Sequence, residues 1–223
     1  MATVLITAGP TREYLDAVRF LSNGSTGRMG FALARAAHRA GHEVHLVAGP
    51  TEVAPPTEVT VYPVVSALEM EAAVGQVIDR AHVVFGAAAV ADERPAERHP
   101  GKPAKSGGPR SLEMVPNPDI IAGAASRPGV RAVVGFALEA PGDDGWEGIL
   151  ARGRSKLARK HLDAIAVNAP SALASDESEV VLVFADGREE RMPMQTKDAT
   201  AARLVAAGVE LWEAKSREEQ PGK

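Results

Sequence analysis

Cysteine is absent from the 223 residues, which excludes disulfides, thiolate metal sites and a cysteine nucleophile together. No run of about eighteen apolar residues occurs, and the opening MATVLITAGPTREY lacks a charged n-region, a long apolar stretch and a small-residue cleavage site, so neither a membrane span nor a secretory signal is visible. The expected location is the cytoplasm. Positive charge is not in excess either. With 25 Lys and Arg against 29 Asp and Glu, the net charge of −4 offers no general attraction to nucleic acid or to an anionic membrane. An anionic ligand must therefore be held by a local cluster. No GxxxxGK[ST] loop, Ser-His-Asp order or nucleophile elbow is present, which disfavours a P-loop and nucleophilic hydrolysis. What is present, 45% hydrophobic and 24% charged residues, suits one sizeable core rather than a disordered chain. Residues 1–215 are expected to form a single domain, and 216–223 a polar tail without structure.

The chain alternates strand and helix signals. Thr3 to Thr7 is a short β-branched run closed by Ala8-Gly9-Pro10, a buried strand ending in a turn. After an irregular stretch, Ser25 or Thr26 is placed to cap a helix through Phe31 to Ala37, with Gly41 to end it and His45 to Ala48 as the next strand. Ser66-Ala67-Leu68-Glu69 is a capping box ahead of a helix with apolar positions Leu68, Val74, Val77 and Ile78. His82 to Gly86 reads as a strand, Asn117-Pro118-Asp119 as a helix start capped by Asn117, and Ala132 to Ala137 as a buried strand. A basic helix ending near Lys160 leads to a strand from Asp163 to Asn168. Asp186-Gly187 between Val180–Phe184 and Glu189–Met194 signals a hairpin, after which Thr196 or Asp198 caps a last helix. The fold class is α/β, a doubly wound, Rossmann-like and mostly parallel sheet with a C-terminal antiparallel hairpin. Ligands of such sheets bind outside the carboxyl ends of the strands, which marks the loops beginning at Ala8, Ala87, Ala137 and Asn168.

Three constellations lie at or near those loops. Gly24, Gly27 and Gly30 recur every third residue into a helix, an arrangement that brings backbone amides to a phosphate; a tight turn with close helix–sheet packing is the alternative. Lys102 and Lys105 sit in a Gly/Pro-rich loop, and Lys156 and Lys160 share a helical face. Each pair alone reads as solvated surface, whereas together they suit a polyphosphate. Asp92 ends the small-residue stretch from Gly86 to Ala91, against which a flat ring or acyl chain could lie; the alternative is a helix start capped by Asp92. His38, His42 and His45 straddle a helix end and a strand start with no convergent carboxylate, so no protein-held metal is expected there.

The runs TAGPTREYLDAVRFLSNGSTGRMGFALA, AAVADERP, KPAK, LEMVPNPDII, VVGFALEA and KLARKHLDAIAVN resemble phosphopantothenate-cysteine ligase of coenzyme A biosynthesis, in the right order over nearly the whole chain. The resemblance implies a ligase that activates the carboxylate of 4'-phosphopantothenate with a nucleoside triphosphate and Mg²⁺. An acyl-nucleotide forms, pyrophosphate leaves, and L-cysteine displaces the nucleotide. CTP is the expected nucleotide, ATP the alternative. By the same resemblance Asn23 handles the acyl-nucleotide and Lys102 closes on the phosphates during carboxylate attack, both as catalytic residues. Ser25, Gly27 and Gly30 correspond to the triphosphate-side loop, Gly9 is a further nucleotide-binding residue, Lys156 and Lys160 correspond to helical lysines near the phosphates, and Phe136 to the aromatic at the base or sugar. Ala88, Ala89 and Asp92 correspond to the segment facing nucleotide and phosphopantothenate. Arg19 corresponds to an arginine that reaches the phosphopantothenate phosphate of the neighbouring subunit, so a homodimer is implied.

In many relatives of this kind a flavin-dependent decarboxylase precedes the ligase domain. Its cysteine-dependent chemistry has no counterpart in a chain without cysteine. A free-standing ligase without flavin is expected, with a separate decarboxylase as a further partner. Departures fall at Glu93, Pro103-Ala104, Ala140 and Ala169, where the family often has tyrosine, a lysine-rich loop, threonine and aspartate; they bear on nucleotide choice and loop geometry. An oxidoreductase on the same scaffold would need GxGxxG after the first strand and an acidic ribose-binding residue after the second, where Ala48-Gly49-Pro50-Thr51 stands instead. A nucleotide-binding module without turnover is the third reading, disfavoured by Asn23 and Lys102.

Overall fold

The computed structural model describes residues 1–102, 104, 107–109, 111–129, 131–138, 143–168 and 176–219. Its first half contains β1 (Thr3–Ala8), β2 (Arg12–Tyr14), β3 (Phe20–Ser22), α1 (Arg28–Arg39), β4 (Glu43–Ala48), β5 (Thr60–Pro63), α2 (Ala67–Val77), a 3-10 turn at Ile78–Arg80 and β6 (Val83–Gly86). The second half contains β7 (Glu93–Pro95), β8 (Met114–Pro116), α3 (Ile120–Ala125), β9 (Ala132–Leu138), α4 (Gly145–Arg159), β10 (Ala164–Asn168), β11 (Glu177–Phe184), β12 (Glu189–Thr196) and α5 (Lys197–Glu218).

Among the described residues the main sheet has eight strands in the order β12-β11-β10-β9-β6-β1-β4-β5. From β10 to β5 neighbours run parallel, whereas β11 and β12 are antiparallel to their neighbours. The strand order reverses at β1, which lies between β4 and β6. Every residue of β1 is buried, as a strand covered on both faces must be. One face packs against α1 and α5 around Phe31, Leu33, Phe85 and Leu204. The other packs around Met70, Val74, Ile120, Ile149 and Leu157 of α2, α3 and α4. Full burial of each such large side chain contributes about 1.5–3 kcal/mol.

Local signals account for most elements. Gly41, at φ 79°, closes α1 as expected, its amide donating to the His38 carbonyl at 2.9 Å. Ser66 caps α2 by accepting from the Glu69 amide at 3.3 Å, while Glu69 reaches back to the Val65 amide at 2.7 Å, one residue outside the usual box. Thr196 caps α5, and Gly187 turns the final hairpin at φ 89°.

Other expectations need correction. The cap of α1 is Gly27, with no side-chain cap bond, and neither Ser25 nor Thr26. The cap of α3 is Asp119, whose carboxylate accepts from the Ala122 amide at 3.2 Å, because Asn117 is committed elsewhere. Leu68 is 45% exposed; Ala67 and Met70 take the buried positions of that turn. The stretch read as irregular contains the β2–β3 hairpin, and β5 and the β7–β8 pair are also additions. The tail expected to be unstructured after Lys215 continues α5 through Glu218, a helix whose early turns are anchored on the core by Ala201, Leu204, Val205 and Ala207. Residues 220–223 lie outside the described residues. Among the described residues no helix is long and apolar enough to cross a membrane.

Candidate functional site

At the carboxyl ends of β1 and β6 the chain does not turn away at once. Pro10 and Ala89 form a parallel bridge. The Ala89 amide donates to the Gly9 carbonyl at 2.9 Å, and the Ala88 and Ala91 amides donate to the hydroxyls of Thr7 and Thr11 at 3.3 and 3.0 Å. Thr11 is fully buried in this role. Residues 87–92 are therefore an extended ledge outside the sheet, and the alternative of a helix capped by Asp92 is overturned. Asn117 fastens the ledge's far end. Its amide donates to the Asp92 carbonyl and its side-chain nitrogen to the Ala91 carbonyl, both at 2.8 Å. Arg94 in turn donates to the Asn117 side-chain oxygen at 3.2 Å.

The glycine loop lies against this ledge. The Asn23 carboxamide nitrogen donates to the carbonyls of Ala89 and Val90 at 3.2 and 3.1 Å. Gly27 has φ 73°, a backbone region that L side chains rarely adopt. The Gly27 amide donates to the Ser25 hydroxyl at 3.4 Å. Gly30 serves packing, since a Cβ there would stand 2.4 Å from that of Ala8 on β1. Gly24 meets no such limit, having nothing within 4 Å. The close-packing reading of the glycine repeat thus holds at Gly30. No side chain caps α1 and no acidic residue stands in its first turn, which favours an anion at that end.

Loop, ledge and helices enclose a cavity of about 650 Å³. Asn23, Ser25, Gly27, Gly30, Ala88, Ala89, Asp92, Phe136, Lys156 and Lys160 all line it. Gly9, also at positive φ, lies beneath Gly27, whose absent Cβ would come within 3.4 Å of the Gly9 Cα; it supports the loop without lining the cavity. Arg19 and Lys102 are exposed and outside the lining. Arg19 is in the β2–β3 turn, paired with Asp16 at 2.6 Å. Lys105 lies outside the described residues.

The cations come from helices on opposite faces of the sheet. Lys160, the C-cap of α4, reaches Asp119 at 2.9 Å. Lys156 lies one turn earlier. Arg28 and Lys197, the first residues of α1 and α5, line the cavity from the other face. Lys197 is buried, and burial, with the nearby Arg28 charge adding to it, holds its ammonium below the usual lysine range. Sequence reasoning missed both as site residues. Arg28 lies within the glycine run, but Lys197 is 169 residues downstream of it and only the sheet order brings it to the loop.

Of the three histidines, His42 accepts from the Ala2 amide and His45 pairs with Tyr62 and Glu43. Among the described residues no group of three His, Cys, Asp or Glu is placed to hold a metal by itself.

Residues 1–211 match the family described as DNA/pantothenate metabolism flavoprotein C-terminal domain. The coenzyme A biosynthesis bifunctional protein CoaBC of Escherichia coli K12 is 40% identical over 222 residues, covering 96% of this chain and 53% of that protein. The protein of the same name from Mycobacterium tuberculosis H37Rv is 39% identical over 215 residues, covering 92% of this chain and 51% of that one. The chain thus spans about half the length of the curated relatives it matches. A crystal structure of a CoaBC C-terminal domain superimposes with a TM-score of 0.80 at 33% identity, covering 96% of both chains. A Cab2 mutant in complex with phosphopantothenate-cysteine shares the fold, with a TM-score of 0.78 at 18% identity, over 97% of this chain and 89% of that one. By its sequence over nearly its whole length and by its fold, the chain belongs to the family of DNA/pantothenate metabolism flavoprotein C-terminal domains.

Proposed function

We propose that the chain joins 4'-phosphopantothenate to L-cysteine through an acyl-nucleotide, using CTP, or ATP in its place, and releasing pyrophosphate. The observation that carries this reading is the convergence of an α1 N-terminus without a side-chain cap with Arg28, Lys156, Lys160 and Lys197 on one cavity beside a ledge of small residues. Joining a carboxylate to an amine in water is uphill, so a phosphoanhydride must drive it, and bringing two anions together requires cations. Relatives that are named for coenzyme A biosynthesis support the same chemistry.

A phosphopantothenate carboxylate oxygen attacks the nucleotide α-phosphorus. The P–O bond to the β-phosphate breaks, and its electron pair leaves on pyrophosphate. The cysteine amine then attacks the acyl carbon, the bond to the nucleotide oxygen breaks, and the amine proton passes to solvent. Asn23 and the ledge at Ala88, Ala89 and Asp92 orient the acyl-nucleotide, Phe136 borders the nucleoside, and Lys156 and Lys160 offset phosphate charge. Ser25, Gly27 and Gly30 form the phosphate-side loop, with Gly9 beneath it. Lys102 acts from the 101–108 loop. Asp92, a carboxylate lining the cavity, would be the residue to meet a Mg²⁺ carried by the nucleotide, which would supply positive charge to offset that of the triphosphate, since such an ion needs only one or two protein carboxylates.

A homodimer belongs to this reading. Val18, Phe20 and Leu21 on the β2–β3 hairpin are 57%, 40% and 41% exposed, an apolar surface that suits a partner protein, and Arg19 stands among them to meet a phosphopantothenate phosphate. A separate decarboxylase would consume the product.

The deciding experiment is pyrophosphate release with Mg²⁺, phosphopantothenate and cysteine, comparing CTP with ATP and omitting each component in turn. Release that depends on phosphopantothenate is expected. No release with either nucleotide from folded protein would favour a binding module without turnover.

A further inference from the structure

The Asp176 carboxylate acts on both Arg28 and Lys197. Asp176 pairs with the Arg28 guanidinium, its backbone carbonyl accepts from the Lys197 amide at 2.9 Å, and its charge acts favourably on the Lys197 ammonium. The two sides of this arrangement are unequal. Lys197 is 9% exposed, whereas the Asp176 side chain is 84% exposed. A carboxylate so open to water is weakly bound by its partners, while a buried ammonium gains most from an anion that enters the cavity with it.

The two helix starts here differ. That of α5 is already served, with Thr196 as its cap and Asp198 in its first turn. That of α1 has no side-chain cap and no acid, so its dipole adds to the charge of Arg28 and Lys197. The glycine loop runs from Asn23 to Arg28. With the acyl chemistry at Asn23 and the ledge, a triphosphate laid along the loop puts its far end at Arg28 and Lys197.

We propose that Arg28 and Lys197 hold the two terminal phosphates of the nucleotide, those that leave as pyrophosphate, and that Asp176 is the counter-ion they exchange for them. This assignment rests on the ligase reading of the cavity and specifies its leaving-group end. Lys197 acts as a positioning residue for the leaving group, and Asp176 competes with it.

Calorimetric titration of the full chain with inorganic pyrophosphate, CTP and CMP tests this. Lys197→Gln is expected to weaken pyrophosphate and CTP by about tenfold or more, the loss of a charge-assisted contact, and CMP by less than about twofold. Asp176→Asn is expected to tighten pyrophosphate, and Lys197→Arg to retain most of the affinity. Equal losses for CMP and CTP, or unchanged pyrophosphate binding in Lys197→Gln, would overturn the assignment while leaving nucleotide binding, and with it the ligase reading, intact. Pyrophosphate bound and weakened by Lys197→Gln, with no nucleotide bound by the unaltered chain, would retire the ligase reading and keep the anion subsite. Should Lys197→Gln fail to fold, Arg28→Gln and Asp176→Asn carry the same comparison, and opposite shifts in pyrophosphate affinity are expected.

Discussion

The carboxamide nitrogen of Asn23 donates to the main-chain carbonyl of Ala89 at 3.2 Å, across 66 positions of sequence. This bond joins the glycine loop to the small-residue ledge and turns two separate sequence signals into one wall of a cavity. Asn23 gives the same nitrogen to Val90, so its donors meet the ledge until a ligand competes for them.

Replacing Asn23 with Asp sets a carboxylate against two carbonyl oxygens and removes both donors. Ligated product is expected to form about a hundredfold to a thousandfold more slowly, the range typical of losing an oriented donor. Phosphopantothenate-dependent pyrophosphate release should persist, so that an acyl-nucleotide accumulates and can be seen by chromatography. Unchanged turnover to ligated product would remove Asn23 from this role.

Lys102 is exposed and away from the cavity lining, which makes its contribution to nucleotide affinity small in this arrangement of the loop. Lys102→Gln is expected to lower kcat much more than it raises the nucleotide Kd. Steady-state kinetics set beside equilibrium binding decides, and an effect confined to affinity would make Lys102 a binding residue only.

Asp16 organises the turn that carries Arg19. Its carboxylate accepts from the amides of Arg19 and Val18, both at 2.8 Å, and from the Arg19 guanidinium at 2.7 Å. The Arg19 and Val18 amides, with the guanidinium behind them, lower its pKa from 3.8 to about 2. A carboxyl depressed in the folded state adds stability that is full above the unfolded value of 3.8 and is lost as pH falls through about 2. The NMR titration of the Asp16 carboxyl should show a midpoint near 2, and Asp16→Asn should remove that part of the acid-induced loss of stability. A midpoint near 4 would contradict the turn geometry.

Two glycines of equal sequence prominence should respond oppositely to alanine. A Cβ at Gly49 would lie 1.9 Å from the Pro10 carbonyl oxygen, so Gly49→Ala must shift the backbone beneath the ledge and should cost about 1–3 kcal/mol or more. Gly75, inside α2, has nothing within 4 Å, and Gly75→Ala should stabilise by about 0.5–1 kcal/mol. Urea denaturation of both variants checks the signs.

Elements bounded by their own chemistry were legible without a fold. Gly41 and Gly187 supply positive φ at the positions where the pattern ends, and Ser66 and Thr196 supply caps where it begins. Where two residues compete for one local role, the outcome depended on distant partners. Asn117 reads as a helix cap until Ala91 and Asp92 claim its hydrogen bonds, and Asp119 then takes the cap. The β2–β3 hairpin escaped because its strands are three residues each, too short for a period to show.

By itself, the sequence determined the alternation of strands and helices, the glycine loop and the pairing of Lys156 with Lys160 on one helix, because each rests on contacts within a few residues, and the alternation implied a parallel sheet through the preferred crossover. The tertiary structure decided what the loop faces. Strand order brings Ala88 and Ala89 to Asn23, Asp119 to Lys160, and Lys197 to Arg28. No spacing rule encodes these meetings, since they arise from hydrophobic burial on both faces of a sheet whose strands are ordered out of sequence.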